Sequence, residues 1–346
     1  MTDEWHPRLH QAPLVTWPVP MDPSGRNGPT RGQAAGPRWR RTGRNLYAPA
    51  AVDGSTPEQR IVEAFARSRG RGVITGWASL RLHRAAYFDG LGIDARTAVP
   101  VPLVEGDARL RSTPEVLVLR DRLPAADIVL LNGVRCTIPE RALLDHLARL
   151  DDLREAVVAL DMTVAAQLTS IRRFAADLDR RPGARGSRLA RAVLPLADEG
   201  SASPPESRFR LIWQLDAGWP QPLVNRDVFD LENRFLGRPD LLDPERGIVG
   251  EFAGAVHRHR SRHRRDVRRE DLFRRAGLEY VEVVGADLHD RTLVVDRMEA
   301  AASRAGSRPR LWRLGRAAPP LDDLLDQRDA MIALAEQGTD GVTGPG

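Results

Sequence analysis

The residues best suited to chemistry lie between Arg238 and His257, in the run RPDLLDPERGIVGEFAGAVH. Two short apolar pairs, Leu241-Leu242 and Ile248-Val249, flank Asp243-Pro244-Glu245-Arg246-Gly247, whose proline, acidic residues and closing glycine are the ingredients of a type I turn. With Pro244 to Gly247 as the loop of a hairpin, Asp243 lies opposite Ile248, and Asp240 lies opposite Glu251 on one face, Cβ atoms about 5 Å apart. Two carboxylates facing each other across a ladder repel, so the pattern predicts a counter-ion. For an all-oxygen pair that ion is Mg²⁺, or Mn²⁺ in its place. The plainer alternative is that Asp240 caps the turn or pairs with Arg238 or Arg246. Glu251 follows an apolar strand and precedes Gly254, where a backbone without a side chain admits a ligand.

These residues need elements to carry them. Ser203-Pro204-Pro205-Glu206 is a helix start with proline in the first turn and the spacing of a capping box, and the helix runs to Gly218 at its C′ position. Strands are expected over residues 223–228, 234–242 and 248–253. A basic, helix-compatible segment follows over 257–275, then a buried strand over 280–284 and a short amphipathic helix over 321–337. The basic segment holds nine arginines against Asp266, Glu270 and Asp271. It reads as a solvated helix face or as a phosphate-contacting surface, with Arg258, Arg260, Arg264, Arg265, Arg268 and Arg269 as the nucleic-acid-binding residues. His259 and His263 are four apart there, but the surrounding arginines disfavour zinc.

The upstream half is less pointed. Residues 1–36 lack periodicity and read as a loose, disordered arm, with order expected from about Pro37. A basic hairpin over 38–47 precedes a helix from Thr56-Pro57, and Thr75 opens a second helix. Strands follow over 99–104 and 115–119, then a hairpin around Asn132-Gly133, and Thr137 is expected to cap the next helix. Two more helices fall over 152–166 and 170–179. The resulting division is a domain over 37–182, a second over 187–314, and a C-terminal helix with a flexible tail over 315–346.

Composition narrows the rest. The chain has 346 residues and a net charge of +5, and all 52 of its basic residues are arginine, so no step can use a lysine. Cys136 is the single cysteine, which excludes an internal disulfide and a cysteine-built zinc site. The absence of a signal-like start and of long apolar windows predicts a cytoplasmic protein with no membrane partner, and no nucleotide cofactor is expected.

Several spaced elements together carry a resemblance: Ser203-Pro204-Pro205-Glu206, Gly218-Trp219-Pro220, Arg238-Pro239-Asp240, Glu251-Phe252-Ala253-Gly254, His257, Asp266, Arg269 and Gly277. Over residues 201–288 the chain resembles the domains similar to the very-short-patch repair endonuclease, in the PD-(D/E)xK nuclease superfamily. The upstream half is similar to the domain of AbiEi-type antitoxins through residues 43–49, Gly76-Trp77-Ala78 and residues 137–145. The resemblance implies an α/β (α+β) chain whose C-terminal module runs helix, three strands, helix, strand. It implies Glu206, Asp240 and Glu251 as Mg²⁺ ligands, Asp240, Glu251 and His257 as catalytic residues, DNA as substrate, and a toxin-antitoxin or DNA-defence setting with a toxin or other protein partner. The family places Lys or Asp two residues after the strand glutamate, where this chain has Ala253. Ala253 favours an alternative, a catalytically inactive nuclease fold acting as a DNA-binding regulator or antitoxin-like partner.

Overall fold

The computed structural model describes residues 15–106, 110–254, 269–306 and 308–340, the last six of these by their backbone alone. The chain is mixed α+β and divides into two compact units, Met1–Leu150 with Arg180–Ala190, and Asp151–Asp179 with Arg191–Gly346. Among the described residues no helix is long and apolar enough to cross a membrane.

In the first unit, order begins well before Pro37. The Thr16 backbone exchanges two hydrogen bonds with the Gln59 side chain, and Val19 bridges Tyr47. The helix α1 (Arg31–Ala34) starts at a reciprocal cap between Thr30 and Gln33. A segment without periodicity can still be ordered when its backbone groups find partners on a neighbouring element. The expected basic hairpin is present as β1 (Trp39–Gly43) and β2 (Leu46–Pro49), with Asn45 at the turn with φ 56°. Next come α2 (Pro57–Arg67), β3 (Val73–Ile74), α3 (Gly76–Leu82), β4 (Val101–Val104) and β5 (Val116–Leu119). The second expected hairpin follows as β6 (Ile128–Leu131) and β7 (Val134–Thr137), with Asn132 and Gly133 both at positive φ, as a type I′ turn requires. The helix α4 (Pro139–Leu147) is preceded by Ile138 rather than capped by Thr137. Thr137 instead ends β7, and its buried hydroxyl sits 3.0 Å from that of Thr75. Five strands form one sheet in the order β5-β4-β3-β7-β6.

The two helices after it, α5 (Leu153–Ala165) and α6 (Ile171–Asp179), belong to the second unit, not the first. The reason is visible in their charges. Asp161 of α5 is fully buried and accepts hydrogen bonds from Ser207 and Arg210, each at 2.6 Å, while Glu155 holds Arg208 through two bonds. These partners lie on α8 (Pro204–Leu211), which follows α7 (Ser187–Val193). Past α8 the helix widens into a π-turn over Ile212–Asp216, and Gly218 ends it at φ 65°.

Each of the next two expected strands is broken in two. The chain forms β8 (Leu223–Val224), β9 (Val228–Asp230), β10 (Phe235–Gly237), β11 (Leu241–Asp243) and β12 (Ile248–Ala253). Between β10 and β11, Pro239 has no N–H to continue a ladder, and the chain passes there from one sheet to another. Helical residues 269–275 (α9), β13 (Glu279–Val284), α10 (Arg291–Ala305), β14 (Trp312–Leu314) and α11 (Leu321–Asp340) complete the unit. The four-stranded sheet β13-β12-β11-β8 has antiparallel β8, β11 and β12, with β13 parallel to β12. One face packs Leu241, Ile248 and Val281 on Phe209, Trp213 and Met298, and the other packs Leu242, Val249 and Tyr280 on Phe273 and Trp312. Two-sided burial explains why β12 begins with consecutive apolar residues, Ile248 and Val249, rather than an alternating pattern. The terminal helix α11 is tied to α6 through Asp322, Asp326 and Asp329, which meet Arg172 and Arg173.

Candidate functional site

The turn between β11 and β12 fixes the register on which the carboxylates depend. Asp243 caps it, its Oδ1 accepting from the N–H groups of Glu245 and Arg246, and Arg246 closes the cap by pairing with Asp243 at 2.8 Å. The ladder runs Asp243↔Ile248, Leu242↔Val249, Leu241↔Gly250, as expected, and it ends there, with Asp240 next to the last pair on one strand and Glu251 next to it on the other. Asp240 lies in the bend just before β11, and its Oδ2 accepts the Phe252 N–H at 2.6 Å. Gly250 admits this packing, because a Cβ there would stand 2.7 Å from the ring of Phe209 on α8.

Glu206 reaches the same place from the first turn of α8. Ser203 is the N-cap, and the Glu206 carboxylate accepts from the Ser203 hydroxyl at 2.7 Å and from the Ala202 N–H at 3.0 Å. Asn225 joins the two acids: its Nδ2 donates to Glu206 at 3.0 Å and its N–H to the Asp240 carbonyl at 3.1 Å. Nothing in the residues' spacing pointed to Asn225. Its one signal is an asparagine directly after a two-residue strand, where it takes φ 49°, a conformation asparagine tolerates better than most residues. Burial and the neighbouring Glu206 charge push the Asp240 carboxyl up to about 7, against the opposing pull of the Phe252 N–H and Arg269.

Glu251 is only 5 % exposed and is held by Arg269 of α9, Nη2 to Oε2 at 2.7 Å. The stem of Arg269 lies over Gly237, where a Cβ would meet its Cδ at 3.2 Å and the Phe273 ring at 2.7 Å. Burial and the Glu251 charge together raise the Tyr280 phenol beside them. Three carboxylates and one guanidinium therefore share this end of the sheet. Arg238 and Arg246, the plainer expected partners of Asp240, pair with Asp227 and Asp243. Among the described residues no three His, Cys, Asp or Glu side chains converge as a metal-binding group. The residues His257, Arg258, Arg260, Arg264, Arg265 and Arg268 lie outside the described residues, as do His259 and His263.

No protein-family model matches the chain, and no curated protein and no solved structure matches it.

Proposed function

We propose that the second unit is a nuclease-like module of the restriction-endonuclease-like kind, acting on DNA phosphodiesters, in which Glu206, Asp240 and Glu251 hold Mg²⁺ or Mn²⁺. The observation that carries this reading is the half-buried Asp240 beside Glu206: burial and the Glu206 charge push its carboxyl up to about 7 against the opposing pull of the Phe252 N–H and Arg269. A divalent cation would offset both effects: Glu206 and Asp240 are adjacent hard oxygen donors of the kind it takes, and Glu251 would complete the set by giving up Arg269. The four-stranded sheet takes β8, β11 and β12 after α8 and β13 after α9, with β13 parallel to β12 and β9 and β10 diverted to another sheet, and this arrangement supports the same reading. When bound, the ion activates water and stabilises the leaving oxygen.

The chain's own residues prepare the rest. Asn225 and Ser203 fix Glu206, the Phe252 N–H orients Asp240, and Arg269 sets Glu251 while placing a guanidinium near the end of the strand that carries Ala253. In this proposal His257, which lies outside the described residues, would orient water or phosphate. Nicking of supercoiled plasmid with Mg²⁺ or Mn²⁺ is expected for wild type and lost in Asp240→Ala and Glu251→Ala; equal activity in all three removes the enzyme.

A second reading rests on two specific features. Ala253 supplies no charge, and Arg269 already compensates Glu251. On this reading the module binds DNA as a regulator or antitoxin-like partner without cleaving it. It requires a steep loss of DNA affinity with salt and no nicking by any of the three proteins.

A further inference from the structure

A second charged feature lies in the first unit, well separated in sequence from the carboxylates. An open cavity of about 820 Å³ is lined by Arg41 and Arg44 of the basic hairpin, Arg67, Arg69 and Arg71 at and after the end of α2, and Arg111. A second, smaller cavity shares Arg44, Arg67 and Arg69 and ends at Trp17, which is 43 % exposed. Among the described residues one carboxylate, Glu105, lines the larger cavity against these six guanidinium groups.

Part of this charge is structural. Arg67 donates to the Thr42 carbonyl at 2.7 Å and reaches Thr113 and Glu115, and a basic residue in the last turn of a helix offsets its dipole. That account does not extend to the others. Among the described residues Arg41, Arg44, Arg69 and Arg111 enter no ion pair with a carboxylate. Arg69 also occupies a left-handed backbone position, φ 55°, just past α2, where glycine is the favoured residue. Arg84 past α3 and Gln167 past α5 take the same backbone position, so the conformation ends the helix, and what sets Arg69 apart is that its side chain lines both cavities.

We propose that this cavity binds the phosphodiester backbone of a nucleic acid, with Arg44, Arg69 and Arg111 as phosphate contacts and Trp17, in the smaller cavity that shares Arg44 and Arg69, as a surface for a base. Guanidinium groups from a hairpin, a helix end and a loop suit the repeating charges of a strand, and an exposed aromatic beside them suits stacking. The site is separate from the carboxylates and stands whether or not the second unit cleaves DNA.

The test uses the full chain in EDTA, so that nothing depends on metal or cleavage, with a fluorescently labelled short duplex and the same strand alone. For Arg44→Ala/Arg69→Ala the slope of log affinity against log salt is expected to shrink by about 1.8 on the duplex, two contacts at about 0.9 each. Affinity at low salt falls with it. Arg69→Gly separates charge from fold, because glycine accepts that backbone position: it is expected to melt at or above the wild-type temperature and still bind more weakly. Unchanged affinity and slope in the double variant, on both probes, would overturn the proposal. So would weaker binding only in variants that also melt lower.

Discussion

A carboxyl group placed half-buried beside a second carboxylate keeps its proton to higher pH, and Asp240 is that group here. Its ordinary value is 3.8 and its value in the fold is about 7, so between these the folded chain holds a proton that the unfolded chain has lost. Stability attributable to Asp240 therefore falls as pH rises from about 4 through 7. Asp240→Asn keeps an acceptor for the Phe252 N–H and removes the charge. It is expected to raise stability at pH 8 by on the order of 1–2 kcal/mol and to change nothing near pH 4, as read by thermal melts across that range. Mg²⁺ should raise the wild-type melting temperature more at pH 8 than at pH 5 and leave Asp240→Asn unmoved. A wild-type melt insensitive to both pH and Mg²⁺ would remove the charge argument for a cation seat.

At the scale of elements, α8 is placed by one buried pair. Arg210 and Asp161 are both wholly buried, and Ser207 and the Asp198 N–H complete the bonding of the Asp161 carboxylate. Desolvation alone raises the Asp161 carboxyl, and Arg210 opposes that rise. Removing one partner leaves the other charged and buried, so Arg210→Met is expected to cost about 3–5 kcal/mol in denaturant melts. Replacing both, as Arg210→Met with Asp161→Leu, should recover most of that loss. A single variant as stable as wild type would show that the pair does not hold α8, and with it Glu206, in place.

At the scale of the whole molecule, the division of the chain follows these contacts rather than the composition of its loops. The Pro- and Gly-containing stretch over residues 180–188 looks like a boundary, yet α5 and α6 before it belong with the unit after it. A fragment beginning at Asp151 is expected to give a cooperative melt and dispersed amide spectra. One beginning at Ser187 leaves Arg210 without Asp161 and strips α6 from α11, and it should aggregate or unfold. Cooperative folding of the shorter fragment would contradict this division.

The elements legible in the sequence are those whose signals are local. Asn132-Gly133 marks its hairpin, Ser203-Pro204 marks the start of α8, and the Asp243 to Gly247 turn sets the register of β11 on β12. Each depends on backbone preferences spanning a few residues, which act before any tertiary contact forms. The long-range features were not legible. The two-residue strand β3 is too short to show a period, and the helix α10 and strand β14 carry patterns too weak to stand out from their surroundings. Residues 223–228 and 234–242 read as single strands because propensity does not register a change of sheet. Only the assembled fold decided that Asn225 bridges Glu206 to Asp240, that Arg269 holds Glu251, and that arginines from three separate segments line one cavity. Residue types and turn spacing determine which side chains are available for chemistry, while burial and the charges brought alongside them determine which are protonated, paired or open to a ligand.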